Sequence, residues 1–211
     1  MLYAKASESF CTLILAHGAG VPMDSEFMNV MTQYLLELNI TVVRFEFPYM
    51  ALRRLDAVRR PPNRAPVMLD TWRSVYKEVC EQATGPVVIA GKSMGGRMAS
   101  MLVDELQAPA LICLGYPFYA TKKPGQPRIE HLLTLRTPTL IVQGERDALG
   151  CRDVVETYPL STAIHFEWLA HADHDLKPLK RSGFTQDVYL RHAALEIASF
   201  LTRHLQGQSV D

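Results

Sequence analysis

Short runs of apolar residues alternate with longer amphipathic stretches along the chain. Six runs predict β-strands, at residues 12–16, 41–47, 86–90, 110–114, 139–143 and 164–168. The first, third, fourth and fifth runs are almost continuously apolar, which is typical of strands covered on both faces. The last run alternates polar and apolar residues, so we expect it to be an edge strand.

The stretches between these runs predict helices. Apolar residues recur with helical spacing over residues 26–38, 69–82, 97–106 and 187–205, and Asp24 or Ser25 is a candidate cap for the first of these helices. Strands and helices therefore alternate. This order predicts an α/β fold with a mainly parallel six-stranded sheet and helices on both faces.

Residues 53–64 interrupt the alternation. They are rich in arginine and contain two adjacent prolines, which predicts an irregular surface loop. A second interpretation is that an arginine of this segment reaches over a site and binds an anionic group of a substrate or partner.

Length, charge and cysteine content narrow the class of protein. The 211 residues fit a single domain, residues 1–211, and the 22 basic residues balance the 22 acidic ones, so neither nucleic acid nor a membrane surface is indicated as a partner. The chain starts without a secretory leader pattern, and no apolar run approaches the roughly 20 residues that span a bilayer. The four cysteines are scattered without C-x-x-C spacing. We therefore expect a reduced, cytoplasmic protein without a metal or cofactor.

Residues 91–95 carry the most specific chemical signal. They read Gly-Lys-Ser-Met-Gly and follow the third apolar run directly, before a predicted helix. A G-x-S-x-G sequence between a strand and a helix is typical of the nucleophile elbow of serine hydrolases, which predicts Ser93 as a nucleophile. A phosphate-binding P-loop is disfavoured because it requires glycine where this chain has Pro86. A turn that serves only packing is the remaining alternative.

An activated serine requires a base, and the base requires an orienting acid, which in such hydrolases follow the serine in the order acid, then histidine. The fifth apolar run ends close to Asp147, our choice for the acid, with Glu145 and Asp153 as rivals. The sixth run is followed by His171 and His174. We favour His174 as the base because it lies further along the loop that must fold back over the sheet.

The oxyanion of an acyl-transfer intermediate also requires hydrogen-bond donors. The backbone N–H of Met94 is one candidate, at the start of the helix. The second is expected from the glycine-rich loop after the first strand, at the N–H of Ala19, with Gly20 as the alternative. The imidazole of His17 is expected to brace this loop. The loop that carries Ala19 and the turn that carries Ser93 would meet if their strands are neighbours at a point where chain order reverses.

These motifs together resemble the α/β-hydrolase superfamily, and within it most closely the small dienelactone-hydrolase-like proteins and a group of short hydrolase-like proteins. The resemblance rests on residues 17–20, 91–97, 144–147 and 172–177. It implies Ser93 as nucleophile, Asp147 as acid and His174 as base. Dienelactone hydrolases use a cysteine nucleophile, so the serine at position 93 argues against a dienelactone as the substrate of this protein.

The resemblance also implies a minimal version of the fold. The chain is expected to begin at what would be the third strand, and therefore to lack the first two strands and a cap domain. Only residues 116–135, which contain three prolines, are expected to cover the site. An open cleft is the corresponding hypothesis.

Two functions are compatible with these observations. The first is a serine hydrolase that cleaves a small-molecule carboxylic ester or thioester through an acyl-enzyme. The second is a hydrolase-like protein-interaction module, because the superfamily includes a non-catalytic case in a chromatin-associated acetyltransferase complex. The ordered serine, aspartate and histidine favour the first. The oligomeric state stays open.

Overall fold

A mostly parallel sheet forms the centre of the computed structural model, which describes residues 1–120 and 123–206. Seven strands lie in the order β1-β3-β2-β4-β5-β8-β9, and β6 and β7 form a separate antiparallel pair. The strands are β1 (Leu2–Ala4), β2 (Cys11–Ala16), β3 (Ile40–Phe45), β4 (Val87–Lys92), β5 (Leu111–Leu114), β6 (Tyr119–Ala120), β7 (Lys123–Pro127), β8 (Thr139–Gly144) and β9 (Ile164–Leu169). The predicted α/β class is confirmed, as is the edge position of the last strand.

The strand count differs from the prediction of six. The additional strand, β1, pairs antiparallel with β3 and forms one edge of the sheet, with Leu2 opposite Arg44 and Ala4 opposite Val42. Three mostly exposed residues provide no run from which a strand can be recognised. The predicted count of six strands was therefore one too few.

Helices cover both faces of the sheet, as predicted. The α-helices are α1 (Glu26–Glu37), α2 (Pro48–Asp56), α3 (Ala65–Gln82), α4 (Met94–Ser100), α5 (Val103–Leu106), α6 (Arg152–Val155) and α7 (Gln186–Gln206), with 3₁₀ turns at Glu130–Leu132 and Lys180–Ser182. One apolar core joins the sheet to α3 and α4, and Trp72 is its largest buried side chain. The second core joins the opposite face to α1 and α7, around Met31 and Phe200.

Local structure corrects several boundaries. Residues 53–56 belong to α2, so the predicted loop over residues 53–64 was wrong for its first part. This helix begins with Pro48, whose fixed φ suits the first turn, and ends at Ala57 with φ 58°. The helix predicted over residues 97–106 is divided into α4 and α5. Ser25 is the N-cap residue of α1, but its hydroxyl makes no capping hydrogen bond.

The topology determines where a site can form. Strand β2 lies between β3 and β4 and pairs in parallel with both, so chain order reverses beside β4. Open α/β sheets place their sites at the carboxyl ends of strands at such a point. Between β5 and β8 the chain forms the β6–β7 hairpin and a 3₁₀ turn rather than a separate domain. Within residues 1–120 and 123–206, none of the helices is long and apolar enough to span a bilayer.

Candidate active site

Ser93 lies in a sharp turn between β4 and α4. Its backbone has φ 51° and ψ −117°, a conformation that is rare for any residue with a side chain. The turn requires glycine on both sides because the backbones approach closely. A Cβ atom on Gly91 would lie 2.2 Å from the nitrogen of Gly96, and one on Gly95 would lie 2.6 Å from the carbonyl oxygen of His17. The strained turn holds the serine hydroxyl at the carboxyl end of the sheet.

Three side chains from different strand ends form a continuous hydrogen-bonded chain. Ser93 Oγ lies 2.8 Å from His174 Nε2, and His174 Nδ1 lies 2.7 Å from Asp147 Oδ2. The carboxylate accepts the Nδ1 proton, so in the neutral ring Nε2 accepts the serine proton. Asp147 is fully buried, whereas a quarter of the His174 side chain is exposed. This arrangement can transfer the hydroxyl proton to the imidazole.

Two further groups hold the Asp147 carboxylate. The amide of Gln143 donates to Oδ2 at 2.8 Å, and the backbone N–H of Leu149 donates to Oδ1 at 2.8 Å. Gln143 is buried and also bonds to the backbone at Tyr116 and Gly150. Its role was not predicted from the sequence, although a lone polar side chain within a buried strand is a usable signal. The carboxylate is therefore fixed in orientation with both of its oxygens bonded.

Lys92 holds the loop that carries His174. Its Nζ donates to the His174 carbonyl oxygen at 2.7 Å and forms an ion pair with Asp175 at 3.2 Å. It also lies 5.5 Å from the centre of the Phe27 ring. Burial lowers the pKa of the Lys92 ammonium, and the charge of Asp175 acts in the opposite direction. The elbow therefore contributes an anchor for the histidine as well as the serine.

The rival residues are bonded elsewhere. The Glu145 carboxylate forms an ion pair with Arg152 at 3.1 Å and accepts the backbone N–H of His171 at 3.1 Å. The carbonyl oxygen of His171 in turn accepts a hydrogen bond from Arg146. Asp153 lies in the first turn of α6. Among the candidates weighed from the sequence, the structure thus brings Asp147 and His174 to Ser93.

His17 braces the loop after β2. Its ring is fully buried, Nδ1 donates to the Gly18 carbonyl oxygen at 2.7 Å, and Nε2 accepts the backbone N–H of Phe47 at 3.1 Å. This pattern requires a neutral ring with its proton on Nδ1. Burial, which lowers the pKa of His17, favours the same neutral form.

Tyr49 orients the peptide groups of the same loop. Its hydroxyl donates to the carbonyl oxygens of Ala19 at 3.0 Å and of Gly18 at 3.4 Å. Because the C=O and N–H of a trans peptide point in opposite directions, the N–H groups of Ala19 and Gly20 point away from Tyr49. A Cβ atom on Gly18 would lie 3.6 Å from the Cβ of Ser93, so the loop lies against the serine.

The candidate oxyanion donors are free of protein acceptors. In the part of the chain that the structure describes, the N–H groups of Met94 and Ala19 donate to no backbone carbonyl. Over the same residues, no group of three or more His, Cys, Asp or Glu side chains could hold a metal ion. Ser93, His174 and these two N–H groups lie at the same end of the sheet.

The arginine-rich segment is bonded mainly within the protein. Arg54 forms ion pairs with Asp24 at 2.8 Å and with Glu46 at 2.6 Å, and its bonds raise the pKa of its guanidinium. Arg60 pairs with Asp56 one turn away. Arg53 donates weakly to the carbonyl oxygen of Gly20 at 3.4 Å. These contacts fix α2 over the loop that holds Ala19.

This fold and this cluster of side chains define the α/β-hydrolase class. The chain belongs to that family, since the family model of the alpha/beta hydrolase domain matches residues 9–202.

Solved structures share the fold across almost the whole chain. A serine hydrolase without a lid from Xanthomonas campestris has 21% identity and a TM-score of 0.71, covering 98% of this chain and 86% of that one. Dienelactone hydrolase from Anabaena variabilis has 16% identity and a TM-score of 0.72, covering 96% of this chain and 90% of its own. An esterase from Pyrococcus furiosus has 17% identity and a TM-score of 0.69, with coverages of 93% and 84%. At these identities the likeness establishes the fold.

Proposed function

We propose that the protein is a serine hydrolase that cleaves a small-molecule carboxylic ester or thioester through an acyl-enzyme on Ser93. The observation that carries the proposal is the unbroken hydrogen-bonded chain from the Ser93 hydroxyl through His174 to Asp147, with distances of 2.8 and 2.7 Å. Its location at the carboxyl ends of β4, β8 and β9, next to the reversal of chain order, supports the same assignment.

The first half of the reaction acylates the serine. His174 Nε2 takes the proton from Ser93 as Oγ attacks the carbonyl carbon of the substrate. Asp147 keeps the proton on Nδ1 and stabilises the imidazolium that forms. The imidazolium then donates its Nε2 proton to the leaving alcohol or thiol. The C–O or C–S bond breaks, and the acyl group remains on Ser93.

The second half releases the acid. A water molecule gives a proton to His174 Nε2 and attacks the acyl carbon, and the imidazolium returns that proton to Ser93 Oγ as the ester bond breaks. In both halves the oxyanion accepts hydrogen bonds from the N–H groups of Met94 and Ala19. The bonds from Tyr49 and His17 to this loop support that assignment, because they hold the Ala19 amide in one orientation.

The chemistry does not separate esters from thioesters, because both present a carbonyl with a leaving group that His174 can protonate. We infer a cytoplasmic setting from the scattered, free cysteines. A quarter of the His174 side chain is exposed, which supports a water-accessible cleft.

Covalent labelling provides the direct test. A fluorophosphonate should label the protein at one site, identified as Ser93 by mass spectrometry, and an activated nitrophenyl ester should give burst kinetics. The Ser93→Ala protein should show neither and should lose turnover by a factor on the order of 10⁶, as should His174→Ala. The matched control is Ser7→Ala at an exposed serine, which should label as the wild type does.

The opposite result is equally informative. A folded wild-type protein that is inert to the fluorophosphonate and to a series of nitrophenyl esters and acyl thioesters would contradict the proposal. It would favour the interaction module, which pull-down of a reproducible protein partner would then support.

A further inference from the structure

Arg97 carries a charge that the rest of the described chain does not balance. It lies in α4, and among residues 1–120 and 123–206 its guanidinium forms no ion pair and donates to no acceptor. Its Nε atom is buried and without a hydrogen-bond partner. Burying part of a guanidinium in this way is costly, and burial lowers the pKa of Arg97.

A second arginine lies beside it. Tyr116 fixes this position, because its hydroxyl lies 3.4 Å from the Arg128 carbonyl oxygen and 3.4 Å from Ser100 Oγ in the same helix α4. The charge of Arg128 lowers the pKa of Arg97 further. Within the described residues, Arg128 also forms no ion pair. The backbone at Arg128 thus lies close to α4, and the charge of its exposed side chain acts against that of Arg97.

The neighbouring titratable groups leave this positive charge in excess. His131 Nε2 bonds to Ser100 Oγ at 2.8 Å, and burial together with the charge of Arg97 lowers the pKa of His131 to about 4, so the ring is neutral at pH 7. Burial raises the pKa of the Tyr116 hydroxyl, which is also neutral. Glu130 is the one carboxylate whose charge acts on Arg97, and it is exposed.

The pair lies close to the serine. The backbone N–H of Arg97 donates to the carbonyl oxygen of Ser93 at 3.0 Å, which places Arg97 one helical turn after the nucleophile. Ser93 is the N-cap residue of α4, and one helical turn rises only about 5.4 Å. A short chain attached to Ser93 is therefore long enough to reach the side chain of Arg97.

We propose that Arg97 and Arg128 form an anion subsite that binds a carboxylate of the substrate, so that the preferred substrates are half-esters or half-thioesters of short dicarboxylic acids. The inference rests on the proposed hydrolase function. A guanidinium pairs with a carboxylate through two parallel hydrogen bonds, which suits a planar anion held between two arginines. The bound carboxylate would neutralise the excess charge and fix the distance from the anion to the scissile carbonyl.

A paired substrate series tests the specificity. The nitrophenyl half-esters of succinic, glutaric and adipic acids are compared with neutral nitrophenyl esters of equal chain length. The expected result is that one half-ester exceeds its neutral counterpart by at least about tenfold in kcat/KM, mainly through KM. Arg97→Met and Arg128→Met should each lower this ratio by about tenfold or more. The control Arg136→Met, at an arginine with an 83% exposed side chain, should keep the wild-type ratio.

A binding measurement separates this inference from the hydrolase proposal. Glutarate should bind to the Ser93→Ala protein in calorimetry, glutaramide should not, and adding Arg97→Met should abolish the glutarate signal. Arg97→Lys, which keeps the charge, should restore part of it. A protein that labels at Ser93 but shows equal kcat/KM for charged and neutral esters, and no glutarate binding, overturns the subsite alone. Thermal unfolding shows that each variant is folded, and Arg128→Met at an exposed residue repeats the test if Arg97→Met unfolds.

Discussion

Lys92 occupies the variable position of the elbow, yet its side chain is one of the few buried charges in the protein. Alternation along β4 directs it to the face of the sheet opposite Gly91, towards α1 and the loop after β9. There its ammonium binds the carbonyl oxygen of His174 at 2.7 Å. A single turn of the chain therefore orients both Ser93 and the backbone of His174.

Replacing Lys92 by methionine should impair turnover more than substrate binding. The side chain keeps its length, but the His174 carbonyl loses its donor, so we expect kcat on an activated ester to fall by about 10- to 100-fold, as for partners that orient a catalytic group. Loss of a hydrogen bond to a charged group should also cost about 1.5–3 kcal/mol in the free energy of unfolding. Steady-state kinetics and urea unfolding measure the two effects.

The control for this variant is Asp175→Asn. The Asp175 side chain is 69% exposed, so its ion pair with Lys92 should contribute less than about 1 kcal/mol, and the bond to His174 is kept. Turnover should then stay within a few-fold of wild type. A Lys92→Met protein with full kcat would show that the loop positions His174 without this anchor.

At the scale of residues, motif order in the sequence was enough to nominate the side chains that the structure brings together. Ser93, Asp147 and His174 each follow a recognisable strand, and parallel strands end at one edge of the sheet. The supporting residues Gln143, Lys92 and Tyr49 were missed. Their bonds join positions far apart in the chain, such as Lys92 and His174, 82 residues apart, and no local pattern encodes such contacts.

At the scale of elements, the close packing of α4 against the ends of β2 and β4 determines how far Ser93 lies from the loop that holds Ala19. A Cβ atom on Gly95 would lie 2.6 Å from the carbonyl oxygen of His17 and 2.7 Å from that of Ala16. These are backbone atoms at the end of the central strand β2, which cannot move without disturbing the sheet. The helix and the loop that holds Ala19 therefore keep a fixed separation.

Gly95→Ala should accordingly lower the free energy of unfolding by about 2 kcal/mol or more, because the added methyl group overpacks the interface. Its reactivity towards a fluorophosphonate should also fall. The matched control is Gly125→Ala, since a Cβ atom on Gly125 meets nothing within 4 Å. Equal midpoints of denaturant unfolding for the two variants would contradict this interpretation of the helix packing.

Long periodic elements were predicted well and short ones were not. The buried runs gave correct strands because continuous burial leaves an apolar signature. Helix α2 was missed because its nine residues begin with a proline and include two arginines, and residues 53–56 were interpreted as part of a loop. Strand β1 is held by its pairing with β3 rather than by its own composition.

At the scale of the whole molecule, the buried His17 and the half-buried His131 link stability to pH. His17 braces the loop beside Ser93, and His131 bonds to Ser100 and Tyr116 behind Arg97. Burial lowers the pKa of both rings. Each ring is therefore neutral in the folded protein, and its protonation destabilises the native structure.

The sign of the pH effect follows from the pKa of His131, which is lowered from 6.5 to about 4. Between these values the unfolded chain binds a proton that the folded chain does not, so stability is complete above pH 6.5 and falls as the pH drops towards 4. After discounting for the partly exposed side chain, His131 should contribute about 1 kcal/mol to this loss. Urea unfolding at pH 4.5 and 7.0 measures it, and His131→Gln should show a smaller difference. An unchanged difference would assign the effect to other groups, including His17.

The side chains of Ser93, His174 and Asp147 are joined by hydrogen bonds that span 81 and 27 residues of chain. Closing such long loops is slow in folding, and it requires β4, β8 and β9 to be in register. We therefore expect reactivity at Ser93 to recover late in refolding and to mark molecules in which the complete sheet has assembled. The same reagent that identifies the nucleophile would therefore count correctly folded chains, whereas helix signals would also include incomplete ones.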